Sequence, residues 1–236
     1  MASYKKLQDQ LSSLYPELKR DIFSHPDKYR NAGSYQLQSI LQPYYQDKIR
    51  KDLPKGLLEG VVNNVGDFVK SKNYAVIDDL VYSTDKSYEI FSQIFDVKMS
   101  LYNETWLETE ANQITRSSNM AIQMTNFQRY PKKMLQYMTM EDSIVRPSHA
   151  AINNVTLPAN DPFWSQYNPS LSYNCRCRIK MLFEDVEQSD ASEVETAIDN
   201  GIGYADNGTS FTFQTGKVFS KEHTYFERSP QNVTLI

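Results

Sequence analysis

Glycine is scarce in this 236-residue chain: there are eight, about half the ~7% usual in soluble proteins. Loops that cradle phosphates or dinucleotides rely on clustered glycines, because only a residue without Cβ lets backbone amides close on a ligand. No such cluster occurs, nor does an HExxH helix or a recognisable frame of paired carboxylates. The two cysteines, one residue apart, do not make a secreted disulfide framework. No run of 18 apolar residues is present, which leaves no membrane-spanning segment or membrane partner. The N-terminal stretch MASYKKLQDQLSSLYPELKRD lacks the apolar core of a secretory signal, so the chain is expected to be intracellular when made. Four Asn-x-Ser/Thr sequons, at Asn103, Asn154, Asn207 and Asn232, then read as chance in an Asn-rich chain. Net charge is −4 with a pI near 5.5, which does not indicate a dedicated nucleic-acid binder. DNA contact would need a local basic face, for which Arg129, Lys132, Lys133, Arg176, Arg178 and Lys180 are the candidates.

What the chain does have is helical periodicity. Leu7, Leu11, Leu14 and Leu18 place an amphipathic helix over residues 5–22, ended by the turn residues Ser24-His25-Pro26-Asp27. Leu37, Ile40, Leu41 and Tyr44 mark a second helix after Ser34, interrupted by Pro43. Leu57, Val61, Val65 and Phe68 mark a third after Pro54. The segment Tyr74–Tyr82 fits strand and helix equally. Ser83 or Thr84 caps a helix that turns Tyr88, Phe91 and Phe95 inward. The clearest helix covers residues 99–128, with Tyr102, Trp106, Glu110, Ala121 and Met124 on its stripe. Glu110 either sits at the edge of that stripe with its head in water or is buried with a partner such as Arg146 or Arg176.

Residues 184–200 are acidic and read as a short solvated helix with a capping box at Ser192–Glu195. The alternating, aromatic-rich segment Phe211–Phe226 reads as a β-hairpin turning at Thr215-Gly216. The fold class is therefore α+β, a helical N-terminal half followed by a compact irregular and β C-terminal module. The expected divisions are a helical docking region over 1–72, a main domain over 73–228 containing a Cys/His module at 139–228, and a tail over 229–236. Clustered Tyr35, Tyr44 and Tyr45 supply the expected docking surface.

The stretch Thr139–Leu182 departs from every period. It holds His149, Trp164, both cysteines and four of the ten prolines, and no glycine. Such a segment must be ordered by side-chain contacts. Cys175, Cys177 and His149, with His223 as a fourth ligand, could close a tetrahedral structural zinc site. The bland alternative is two small buried cysteines beside a hydrogen-bonded histidine. A cysteine hydrolase with His149 as base lacks a Gly-built oxyanion elbow, and a Cys175–Cys177 disulfide would close a strained ring.

Arg146-Pro-Ser-His149-Ala-Ala, Leu157-Pro-Ala-Asn-Asp161-Pro-Phe-Trp164 and Asn174-Cys-Arg-Cys177 together resemble the signature of the phage Mu F-like minor head proteins. Thr109-Glu110 on the preceding helix agrees, as does Phe213-Gln-Thr-Gly216-Lys217 with His223-Thr-Tyr225-Phe226, where Thr224 replaces the usual proline. The resemblance covers roughly 75–228. It implies a virion component and not an enzyme, acting in head assembly at the portal vertex and in DNA packaging or delivery. The implied partners are the portal protein and other head proteins, and the implied location is the inside of the head, after assembly in the host cytoplasm. Its signature residues are Glu110, Arg146, His149, Asp161, Trp164, Cys175 and Cys177. The reading from another class is a metal-dependent or cysteine hydrolase, toxin-like, using His149 with Cys175 and Cys177.

Overall fold

In the computed structural model, residues 4–170, 172–201, 216–220, 223–230 and 233–236 are described. In chain order they form α1 (Tyr4–Ser24), α2 (Pro26–Tyr29), β1 (Ala32–Gly33), α3 (Tyr35–Gln46), α4 (Lys55–Val81) and α5 (Tyr88–Ser100). A π-helical turn (Leu101–Thr105) leads into α6 (Leu107–Phe127). Then come β2 (Met134–Met138), α7 (Pro147–Ala151), β3 (Thr156–Pro158), α8 (Phe163–Gln166), β4 (Arg178–Met181), α9 (Ala191–Gly201), α10 (Thr224–Arg228) and β5 (Thr234–Leu235). The fold is α+β, helical up to Phe127 apart from the two-residue β1. Two units share the chain: residues 1–49, 62–114 and 221–236 form one, and residues 50–61 and 115–220 the other. The expected break between residues 72 and 73 falls inside α4, and the expected tail 229–236 is part of the first unit.

The first unit is helical. α1 buries Leu7, Leu11, Leu18 and Ile22 and packs against α2, α3 and α5, with Tyr15 edge-on to Phe95 at 5.8 Å. Ser34 caps α3 by accepting the Leu37 N–H, and the helix runs through Pro43 to Gln46. The ambiguous segment Tyr74–Tyr82 belongs almost wholly to α4. Residues 71–77 are buried without a break, so α4 shows no polar face here, as a helix surrounded by others should not. β5 pairs in parallel with β1, and the Tyr35 N–H donates to the Ile236 carbonyl at 2.7 Å. A Cβ on Gly33 would stand 3.1 Å from the Leu235 side chain and 3.2 Å from that of Asn73, so glycine serves the close approach. Asn73 bonds both backbone groups of Ser34, accepting its N–H at 3.2 Å and donating to its carbonyl at 2.7 Å.

The π-helical turn changes the expected stripe. Trp106 N–H bonds the Leu101 carbonyl, one residue further back than in an α-helix. The extra residue rotates the face, so Asn103 and Leu107 are buried while Trp106 is 37% exposed. Tyr44 and Tyr45 are buried and only Tyr35 is exposed, which removes two of the three tyrosines expected to dock a partner.

Glu110 is buried at 3% exposure, and its partner is neither Arg146 nor Arg176 but Lys72, itself fully buried. Lys72 Nζ donates to Glu110 Oε2 at 2.5 Å and to the Tyr45 hydroxyl at 2.9 Å. Tyr45 donates to the same carboxylate oxygen, and the Tyr225 hydroxyl to Oε1 at 3.2 Å. Burial pushes the Lys72 pKa down, and the Glu110 charge works against that.

The second unit holds an antiparallel sheet in the order β3-β2-β4, with Leu135 opposite Leu157 and Met181, and Tyr137 opposite Ile179. Alternation along β2 buries Leu135 and Tyr137. α9 packs against α7 and starts two residues earlier than its expected cap: Asp190 Oδ1 accepts the Ser192 N–H at 2.8 Å. Gly216 has φ +69°, and a Cβ there would come within 2.7 Å of Val61 N and 2.8 Å of the Leu57 carbonyl in the first turns of α4. Of the expected hairpin, residues 211–215, 221 and 222 lie outside the described residues, while 224–226 are helical in α10 and correct that part of the expectation.

Removing one member of a buried ion pair leaves an uncompensated charge, at about 3–5 kcal/mol. Glu110→Gln should lower stability by that order in urea unfolding followed by circular dichroism. Lys72→Met/Glu110→Gln should recover most of the loss, because the glutamine amide can accept from one of the Tyr45 and Tyr225 hydroxyls and donate to the other. A double variant as unstable as the single would show that the charge is not the source of the cost.

Candidate functional site

The irregular stretch of the second unit brings three of the four expected ligands together. His149 comes from α7, which starts at Pro147, where proline's preset φ suits the first helical position. Cys175 and Cys177 come from the loop that enters β4. His149 Nδ1 stands 3.7 Å from Cys175 Sγ and 3.6 Å from Cys177 Sγ, and the donor atoms of the three all lie within 4.8 Å of one another. His149 and Cys175 are buried, Cys177 is half-buried, and both cysteines are free thiols, so the strained disulfide is not formed. The Cys177 hydrogen bond pulls the Cys175 pKa down to about 4, with help from His149 and against burial. The same bond, with burial, pushes the Cys177 pKa up.

The loop that carries the cysteines has no ladder of its own, and Ser170 and Asn174 adopt φ +82° and +58°. Left-handed conformations away from glycine cost of order 1 kcal/mol each, so other contacts must hold them. Three arginines do so. Arg116 Nη1 donates to the Cys175 carbonyl at 2.6 Å, and Arg146 Nη2 to the Tyr173 carbonyl at 2.9 Å. Arg176, between the cysteines, makes a two-pronged pair with Asp142 at 2.7 and 2.8 Å. α6 contributes further: Ser117 bonds Ser170 at 3.3 Å and Gln123 the Ile179 carbonyl at 3.2 Å. Arg116 and Gln123 were not among the expected site residues. Their signal was readable, since two long polar side chains seven apart share one helix face.

Residues 73–180 match the sequence model of the family described as Phage Mu protein F like protein. A protein of Escherichia phage Mu that carries the name capsid assembly protein F is 28% identical over 95 residues, 35% of this chain and 22% of that protein. The Mu-like prophage FluMu F protein of Haemophilus influenzae is 32% identical over 88 residues, 36% of this chain and 21% of that protein. Over residues 73–180 the chain is similar to the Mu F-like family. The match spans only about a fifth of each relative's length. No solved structure matches the chain significantly.

The Mu F-like stretch contains Glu110, Arg146, His149, Asp161, Trp164, Cys175 and Cys177. Beyond Glu110 and Arg146, Asp161 Oδ1 accepts the Phe163 N–H at the start of α8, at 2.9 Å. Trp164 is fully buried and its indole N–H donates to the Pro158 carbonyl at 2.9 Å. Of the candidate basic face, Arg176 is taken by Asp142, while Arg129, Lys132 and Lys133 line a groove of about 570 Å³ together with Glu184 and Asp185. Arg178 and Lys180 are exposed on β4.

His223 corrects the expected ligand set. It lies outside the Mu F-like match and belongs to the other unit. There its ring packs 5.1 Å from Phe68 and 4.7 Å from Tyr225, and its Nδ1 accepts the Tyr225 N–H at 3.2 Å as the cap of α10. Burial, and then the nearby Lys72 charge, lower its pKa to about 4. A histidine whose folded value lies below the unfolded ~6.5 is neutral in both states above that pH, and only the unfolded chain takes up the proton on the way down. Stability should therefore fall between pH 6.5 and 4, by up to about 3 kcal/mol from this group. His223→Asn keeps a capping acceptor without the titration. Denaturation midpoints of the variant should depend less on pH across that window, and an unchanged slope would show that His223 is not the source.

Proposed function

We propose that this chain is a structural component of a tailed-phage or prophage head, acting in head assembly at the portal vertex with the portal protein and other head proteins as partners. The observation that carries the reading is the Mu F-like stretch 73–180, whose signature side chains are spent on holding backbone and core in place. Arg146 fixes a loop carbonyl, Asp161 a helix start, Trp164 a core, and Glu110 a buried charge. A reactive thiol needs access, and Cys175 is 5% exposed, which supports a structural role over a hydrolase that uses Cys175 as nucleophile. A part in DNA packaging or delivery follows from the same position at the vertex.

Partner contact falls to the exposed apolar side chains. On the first unit these include Tyr35, Tyr82, Ile90 and Val97, at 64, 76, 49 and 67% exposure. They replace Tyr44 and Tyr45, which the core has taken. Truncating residues 1–70 would remove Tyr45, α1 and β1 from the first unit, so it would not separate docking from folding.

Virions or mature heads from a phage or prophage that encodes this chain should contain it at few copies per particle by quantitative mass spectrometry. Asymmetric reconstruction should place its density at the portal vertex. Its absence from purified heads would overturn the reading, and equal density at all vertices would overturn the portal assignment.

A further inference from the structure

We infer that His149 Nδ1, Cys175 Sγ and Cys177 Sγ hold one zinc ion. Zinc–sulfur bonds of about 2.3 Å and zinc–nitrogen bonds of about 2.0–2.1 Å at a tetrahedral angle put nitrogen and sulfur about 3.6 Å apart. The two observed separations are 3.6 and 3.7 Å. One nitrogen placed alike toward two unlinked sulfurs, all three donors within 4.8 Å of one another, leaves room for a single ion among them. Two sulfurs and an imidazole nitrogen are donors soft enough to select zinc over calcium or magnesium.

The surroundings fit as well. The Ser170 N–H bonds the Cys175 sulfur, the kind of outer contact that orients thiolate ligands. Arg116 and Arg146 hold the carbonyls of Cys175 and Tyr173, which fixes the loop before any ion arrives. The ion would tie α7 to the loop entering β4, joining segments 26 residues apart that share no strand pairing. The ligand set is Cys2His with His149 alone, not the Cys2His2 set that includes His223.

The full-length chain, purified without chelator, should carry about one zinc by elemental mass spectrometry. X-ray absorption should show two sulfurs and light-atom neighbours at the metal. Cobalt substituted for the zinc should give the intense visible absorption of a tetrahedral site and a thiolate charge-transfer band, readouts that need no variant. Both thiols should react slowly with a disulfide reagent until a chelator is added, and chelation should lower the melting temperature. Zinc should be lost in Cys177→Ser and His149→Ala and kept in His223→Asn. A folded wild-type chain with no retained metal and no cobalt spectrum would overturn the site. So would a Cys175–Cys177 disulfide in the freshly purified protein, and loss of zinc in His223→Asn would overturn the ligand set.

Discussion

A loop without strand or helix still has to find partners for its own peptide groups, and the second unit depends on how Ser170 and residues 172–177 do so. Ser170 and Asn174 are held in left-handed conformations, and the carbonyls of Tyr173 and Cys175 are met by guanidinium groups instead of a neighbouring strand. Guanidinium suits this task because it stays charged and presents several donors in a fixed plane. With that backbone pinned, Cys175 and Cys177 have nowhere to face but His149. The cluster is thus the outcome of a backbone problem solved by Arg116, Arg146 and the Arg176–Asp142 pair.

The first unit meets an analogous difficulty with charge. Lys72 and Glu110 sit where water does not reach, and two tyrosine hydroxyls share the carboxylate with the ammonium. Each charge is tolerable only in the presence of the other. The arrangement joins α3, α4, α6 and α10 through polar groups that fit together in one way, whereas apolar contacts among the same helices are far less particular. Glu110 thus acts within its own unit, while His149, Cys175 and Cys177 act within the other.

Helix positions were largely legible in the sequence because periodicity is local. Leu7, Leu11 and Leu18 face inward as their spacing requires, and Ser34 caps as its chemistry allows. What could not be read depends on distance or on a single inserted residue. The π-helical turn at 101–105 leaves no mark on a hydrophobic stripe, so Trp106 was placed inward and is turned out. Glu110's partner lies 38 residues upstream in the part of α4 that is buried without a break, where lysine has no reason to be sought. Tyr44 and Tyr45 cluster with Tyr35 in the sequence as a docking surface, yet both are buried and only Tyr35 is exposed. In the site, the residue types of His149, Cys175 and Cys177 were enough to group them. His223 was grouped by type alone, and topology put it in the other unit.

Residues 221–236 complete the first unit, and β5 supplies the partner of β1. The ribosome therefore finishes the second unit, whose last residue is Ser220, while the first still lacks a strand, α10 and the Tyr225 hydroxyl. Until then Ala32 and Gly33 present an unpaired edge, and Glu110 has one donor fewer. The part of the chain made first is the part that closes last, so the early helices must wait in a partly open state, when nascent chains are most prone to wrong contacts. An order of synthesis opposite to the order of closure sets when the first unit is complete.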